Sequence, residues 1–274
     1  MPPPLSLALV DLPAPVTPGS DLFREQIAFA RRAGFRAVQL NAAAPGVRPR
    51  DLDRSARRAL ASLLKRSELA LSGVDLWIPP EHFLDAAHVD RAAAATLAAI
   101  ELAADLDRLI VGAVTATAAG DGRVVSTSLP AGVNDAVIAA ITERAVDCGA
   151  RVADYGPAAP TYATPGVIGL GFDPAAALLS GNAASGTNAA GMMTLPPGLI
   201  TARLTDASSF GRVIPGAHGG RLDMLAYAMS LVAASFRGHV TLDTRGLSEP
   251  LHAAVAGKSA WDSVASMHPG ARMV

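Results

Sequence analysis

Residues Leu199–Gly246 read LITARLTDASSFGRVIPGAHGGRLDMLAYAMSLVAASFRGHVTLDTRG. The order is strand, long loop, helix, strand, with the helix from about Gly220 to Ala233 and the second strand in GHVTLD. A helical crossover between two strands of one sheet makes those strands parallel. Each strand ends in charge: Arg203 and Asp206 follow the first, Asp243 and Arg245 the second. Charged groups at the C-terminal ends of parallel strands point to a functional rim.

The same grammar repeats upstream. A helix with Ser20 as N-cap and Asp21 and Glu25 in its early turns stops at Gly34, and FRAVQLN follows as a strand ending at Asn41. A second helix from Asp51 to about Arg66 leads into ELALSGVDLW. A third runs from about Val89 to Ala104, and ADLDRLIVGAV is read as its exit and the fourth strand. Asp121-Gly122 between β-branched runs predicts a hairpin elaborating that strand. VNDAVIAAITERAVDCG gives a helix closed by Gly149, and ARVADYG the fifth strand. GPAAPTYATPG reads as loop with at most a turn of helix, GVIGLGFD as the sixth strand, PAAALLSGN as a short helix and AASGTNAAGMMTLPPG as flexible loop. A last helix, about Glu249 to Ala256, precedes a tail containing Trp261. Eight strand-like runs alternating with helix-sized segments predict an α/β fold, one (β/α)8 barrel domain over residues 1–274. No G-x-G-x-x-G follows the first strand, which argues against a dinucleotide fold.

Bulk properties narrow the function. A formal net charge of −1 offers no bulk attraction for nucleic acid or an anionic membrane. The single cysteine, Cys148, excludes an intrachain disulfide and fits a reducing compartment. The apolar N-terminal run lacks a basic n-region and is flanked by prolines, and no segment reaches about 18 strongly apolar residues. The expectation is a soluble, cytoplasmic protein.

The strand ends collect Asp11, Asn41, Asp75, Asp154, Asp173, Arg203, Asp206, Asp243 and Arg245. Carboxylates converging on one mouth suit a hard divalent cation, whereas a single Asp after a strand more often caps the next helix, as Asp173 before Pro174 would. Of the six histidines, His218 in PGAHGG is the one placed for function; its alternative is an exposed loop residue. His82 follows Pro79 and Pro80 and is placed near the mouth, and His239 is read as structural in the eighth strand. Neither lysine, Lys65 nor Lys258, falls at a strand end, which disfavours Schiff-base chemistry.

Several segments carry a family likeness. GVDLWIPPEHFLD with the following helix, VIGLGFDPAAALLSG, ITARLTDASSFGRVIPGAHGGRLD and HVTLDTRG together resemble the xylose isomerase-like TIM barrel superfamily of sugar phosphate isomerases and epimerases. The resemblance implies one divalent metal, Mn2+ or Mg2+, held by Glu, Asp, His and Glu from strands five to eight, with the two glutamates moving a proton between adjacent carbons. Mapped onto this chain, the first Glu falls on Tyr155 or, one residue earlier, Asp154. The Asp is kept as Asp173, but the His position after it is Ala176; the strand-seven His is Arg203 and the last Glu is Asp243. Arg212 matches a substrate-binding arginine of some epimerases. A guanidinium cannot ligate and repels a metal ion.

Two functions stay open at this point. One is isomerisation or epimerisation of a sugar or polyol, with Asp154 and Asp243 catalytic, Asp173 and Asp243 the remaining metal ligands, and Arg203, Arg212, His218 and Arg245 binding substrate. The other is a non-catalytic barrel that binds a small carbohydrate-like ligand or serves as a subunit or scaffold. Expected partners are a sugar-like small molecule and neither nucleic acid nor membrane; a homo-oligomer is left open.

Overall fold

The computed structural model describes residues 1–13, 21–111, 122–157, 159–180 and 193–267. The first half runs β1 (Leu5–Ala8), α1 (Leu22–Arg32), β2 (Ala37–Asn41), α2 (Arg54–Arg66), β3 (Ala70–Asp75), α3 (Val89–Val111), β4 (Val124–Thr127) and α4 (Asp135–Cys148). The second runs β5 (Arg151–Asp154), α5 (Ala159–Tyr162), β6 (Ile168–Phe172), α6 (Pro174–Leu179) and β7 (Leu199–Leu204). Then come β8 (Asp206–Ser208), β9 (Gly211–Val213), α7 (Met224–Ala233), β10 (Val240–Leu242) and α8 (Pro250–Met267). Eight parallel strands close into a barrel in the order β1-β10-β7-β6-β5-β4-β3-β2. The expected (β/α)8 architecture is therefore present, and no described helix is long and apolar enough to cross a membrane.

Strand alternation sorts the side chains into two populations. Leu7, Val38, Val74, Val125, Val152, Ala202 and Leu242 belong to the large core between strands and helices. Their neighbours Val124, Ala153 and Ile200 form a separate small cluster with Tyr155 inside the barrel. The interior is otherwise small and polar: Ser6 Oγ lies 3.0 Å from Thr241 Oγ1, and Gln39 Nε2 donates to Ser126 Oγ at 3.1 Å.

The helices start on the residues their chemistry favours. Asp21, Asp53, Asn134, Asp173 and Asp223 each accept a backbone N–H of the first turn, and Gly149 closes α4 in the left-handed conformation at φ 61°. The cap of α1 is thus Asp21 rather than Ser20, which lies outside the described residues. Helix α2 starts at Arg54, after a 3-10 turn at Pro49–Asp51, rather than at Asp51.

Two expectations need correction, and a third falls outside the described residues. LIV at 109–111 is helix, not strand: buried Ala92, Thr96, Ala99, Ala103 and Leu106 keep helical spacing into it, and Leu109 and Ile110 continue onto the core. The fourth strand is instead Val124–Thr127, held to the end of α3 by Arg123 Nε on Asp107 Oδ2 at 2.7 Å. The expected Asp121-Gly122 hairpin involves Asp121, outside the described residues, as does most of the expected 183–198 loop. The last helix does not stop near Ala256: it runs to Met267 and buries Trp261, whose Nε1 donates to Pro3 O at 3.2 Å.

Candidate functional site

At the C-terminal end of the barrel, the inward-facing register positions carry Asp75 after Gly73, Tyr155 after Ala153, Asp173 after Gly171, Arg203 after Thr201 and Asp243 after Thr241. Period-two alternation therefore delivers one polar residue from each of five strands to a single layer. Arg203 stands at its centre. Its Nη2 donates to Asp75 Oδ1 at 3.0 Å and its Nη1 to Asp173 Oδ2 at 3.5 Å; Nε lies 3.3 Å from Asp243 Oδ2 without hydrogen-bond alignment. Its Cζ sits 3.9 Å above the centre of the Tyr155 ring. Arg245 closes the layer, with Nη1 on Asp75 Oδ2 at 3.1 Å and Nη2 on Asp243 Oδ2 at 2.6 Å.

Three carboxylates, Asp75, Asp173 and Asp243, thus meet Arg203 and Arg245, while Arg212 from β9 donates to the Asp243 carbonyl at 2.9 Å. With Arg212 counted, the charges of the layer cancel. The Asp243 and Asp75 side chains are 0% and 3% exposed and the Arg203 side chain 12%, so water screens these pairs poorly. Burial alone would push Asp243 up, but the Arg203 and Arg245 guanidiniums outweigh it and hold the carboxyl far below its usual range. In Asp75 burial wins over the same two guanidiniums and the pKa is raised. Arg203 itself is held cationic, because Tyr155, Asp243, Asp75 and Asp173 overcome its desolvation.

A cavity of about 330 Å³ opens above this layer, lined by Asp75, Trp77, Ser128, Tyr155, Asp173, Ala176, Arg203, Arg212 and Arg245 among others. Trp77 presents its ring at the rim, 57% exposed. A larger cleft of about 930 Å³ lies at the opposite end, between the C-terminus of α4 and the starts of β5, β6 and β7. The titratable side chains among its lining are Arg151 and Arg237, so it lacks converging chemistry.

The residues singled out from sequence divide accordingly. Arg203, Arg212, Arg245, Asp173 and Asp243 are brought together. Asp154 is not: its neighbour Tyr155 takes the inward position, and Asp154 turns the other way, accepting from Leu129 N at 2.9 Å and Gly156 N at 2.7 Å. Burial raises its pKa over those two donors. It fixes the loops after β4 and β5, and its assignment as a catalytic base is corrected on that ground. Asp206 also organises a loop, accepting from Ala207 N, Arg221 N and Leu222 N. His218 is exposed between β9 and α7 and does not line the mouth cavity. His239 immediately precedes β10. His82 stacks on His88 at 4.7 Å and lines, with Trp77, a side cavity of about 190 Å³.

Asp75 and Trp77 are two site residues to which the sequence assigns no role. The signal for Asp75 was its place two residues beyond Gly73 in GVDLW, in the same register as the other mouth residues.

The donor set does not fit the divalent metal that the resemblance implies. Among the described residues, no group of three or more His, Cys, Asp and Glu side chains is arranged to hold an ion. The three carboxylates that come nearest are each engaged by Arg203, whose fixed charge fills the point on which they converge. Ala176 supplies no donor atom.

No family model matches the chain, and no curated protein matches it in sequence. Solved structures do match in fold. A xylose isomerase domain protein from Planctomyces limnophilus is 15% identical with a TM-score of 0.65, covering 97% of each chain. D-psicose 3-epimerase from Clostridium cellulolyticum H10, solved with D-tagatose, is 11% identical with a TM-score of 0.64, covering 95% of this chain and 99% of that one. A xylose isomerase-like TIM barrel protein from Mycobacterium smegmatis, in complex with magnesium, is 13% identical with a TM-score of 0.61, covering 97% of both. The chain has the xylose isomerase-like TIM-barrel fold.

Proposed function

We propose that the barrel mouth binds a small polyhydroxylated, carbohydrate-like molecule without a metal and without isomerising it. The observation that carries this reading is the commitment of the mouth carboxylates: Asp75, Asp173 and Asp243 all pair with guanidiniums. A proton-transfer isomerase needs carboxylates free to take and return a proton next to an electrophile that stabilises the enediolate. Here every carboxylate that faces the mouth is ion-paired, and the residues that would hold the electrophile are Arg203 and Ala176.

What remains suits recognition of hydroxyl groups. Trp77 offers an exposed aromatic face, Ser128 a hydroxyl, and Arg212 the donors that its bond to the Asp243 carbonyl leaves unused, around a cavity of monosaccharide scale. The fold neighbours, among them an epimerase and a xylose isomerase domain protein, make sugars the first class to test.

Calorimetric titration with pentoses, hexoses and polyols checks the proposal. Binding of one of these to the wild type, weakened at least about tenfold by Trp77→Ala and by Arg212→Ala, is expected, equivalent to about 1.4 kcal/mol each. The same ligands, incubated with or without Mn2+, should be recovered unchanged. Epimerised or isomerised product that disappears in Asp243→Asn would overturn this reading in favour of the enzyme.

A further inference from the structure

Arg203 lies in a slot whose walls are held by contacts other than its own. The floor is the Tyr155 ring, lying over Gly171, where an added Cβ would stand 2.3 Å from the ring; the Tyr155 hydroxyl is fixed 2.8 Å from Thr201 Oγ1. Asp173 Oδ1 is engaged by the Thr205 hydroxyl and by Ala176 N at 3.3 Å, which leaves Oδ2 facing the slot. Asp243 Oδ1 accepts from the Arg245 backbone N at 3.0 Å, and Asp75 is gripped by the Arg245 guanidinium. An aromatic face below and carboxylate oxygens around the edge complement a flat, delocalised cation with donors in its plane. They suit a spherical metal ion poorly, since it wants about six oxygen ligands on all sides and gains nothing specific from a ring face.

We propose that this slot is a guanidinium-binding site filled from within by Arg203, a tethered cation that keeps the mouth organised in the absence of any divalent ion. Because its walls stand on other contacts, removing the side chain leaves a vacant receptor for a free guanidinium. The proposal is independent of whether the cavity above takes a sugar.

The test is chemical rescue of Arg203→Ala, read as thermal unfolding midpoint. The variant should unfold at a lower temperature than the wild type. Methylguanidinium chloride at low millimolar concentration should raise its midpoint saturably by about 2 °C or more while leaving the wild type unmoved. Mn2+ and tetramethylammonium should fail to do so. A folded variant that ignores methylguanidinium, or that Mn2+ stabilises as well or better, overturns the proposal. Arg203→Lys serves if the alanine variant does not fold: it keeps charge but not the planar fork, and should melt well below the wild type. A lysine variant as stable as the wild type would refute the requirement for a guanidinium.

Discussion

Asp243 and Asp75 face the same two guanidiniums yet are driven in opposite directions, one held well below the usual carboxylate range and one raised by burial. A depressed pKa means that Asp243 contributes stability in full above its unfolded value, near about 3.9, and loses it as pH falls through the lower folded value. Asp243→Asn should therefore cost about 3–5 kcal/mol at neutral pH, as expected on breaking a buried pair, and the gap from the wild type should narrow in acid; denaturant unfolding at several pH values checks both. Asp154 has the opposite sign. Its raised pKa makes its charge a cost that grows as pH rises from about 3.9 through the folded value. Asp154→Asn keeps an acceptor for Leu129 N and Gly156 N, so at pH 7 it should be neutral or stabilising in the same assay and leave ligand affinity unchanged. At this scale the sequence was half legible. Arg203 announced itself as a cation among carboxylates, but Asp154 and Tyr155 differ by one residue, and one residue reverses the face of a strand. Which of the two points inward is decided by barrel register, to which neither residue's chemistry is a guide.

Elements were legible where their ends carry distinctive chemistry. Asp173 before Pro174 and Gly149 after Cys148 mark α6 and α4 in the sequence as they do in space. Legibility failed where an apolar run suits either state. Leu109, Ile110 and Val111 are β-compatible, yet they complete α3 because its core-facing side continues through Leu109 and Ile110, with Val111 exposed. The β8–β9 ribbon looks like loop in the sequence, since its strands are three residues each and Phe210 at its tip is fully exposed, which leaves no apolar alternation to detect. Trp261 looks like part of a tail in the sequence, yet α8 buries it against Pro3 O and beside Tyr227. Trp261→Ala should cost about 3–5 kcal/mol in chemical denaturation through the cavity it leaves between the chain's two ends. Gly171→Ala tests the link between strand β6 and the mouth. Its methyl group would collide with the Tyr155 ring, so a loss of about 1–3 kcal/mol is expected together with a weakened Arg203 slot, seen as lower ligand affinity.

Taken whole, the molecule closes a barrel of small polar interior residues and caps it with a charge-balanced layer. Alternation of strand and helix was enough to read the closure, because the period of most segments is written in their apolar spacing. The capping layer depends on contacts across sequence separations as long as Asp75 to Arg245, which no local pattern encodes. In the proposed reading Arg203 does the organising that the family resemblance would assign to a metal ion. The most direct measurement is a Mn2+ titration of the chelator-treated wild-type protein, followed by thermal unfolding and by the bound metal remaining after desalting. Unchanged unfolding midpoint and no retained Mn2+ up to millimolar concentration are predicted. A saturable rise with one Mn2+ retained per chain, lost in Asp173→Asn, would contradict it.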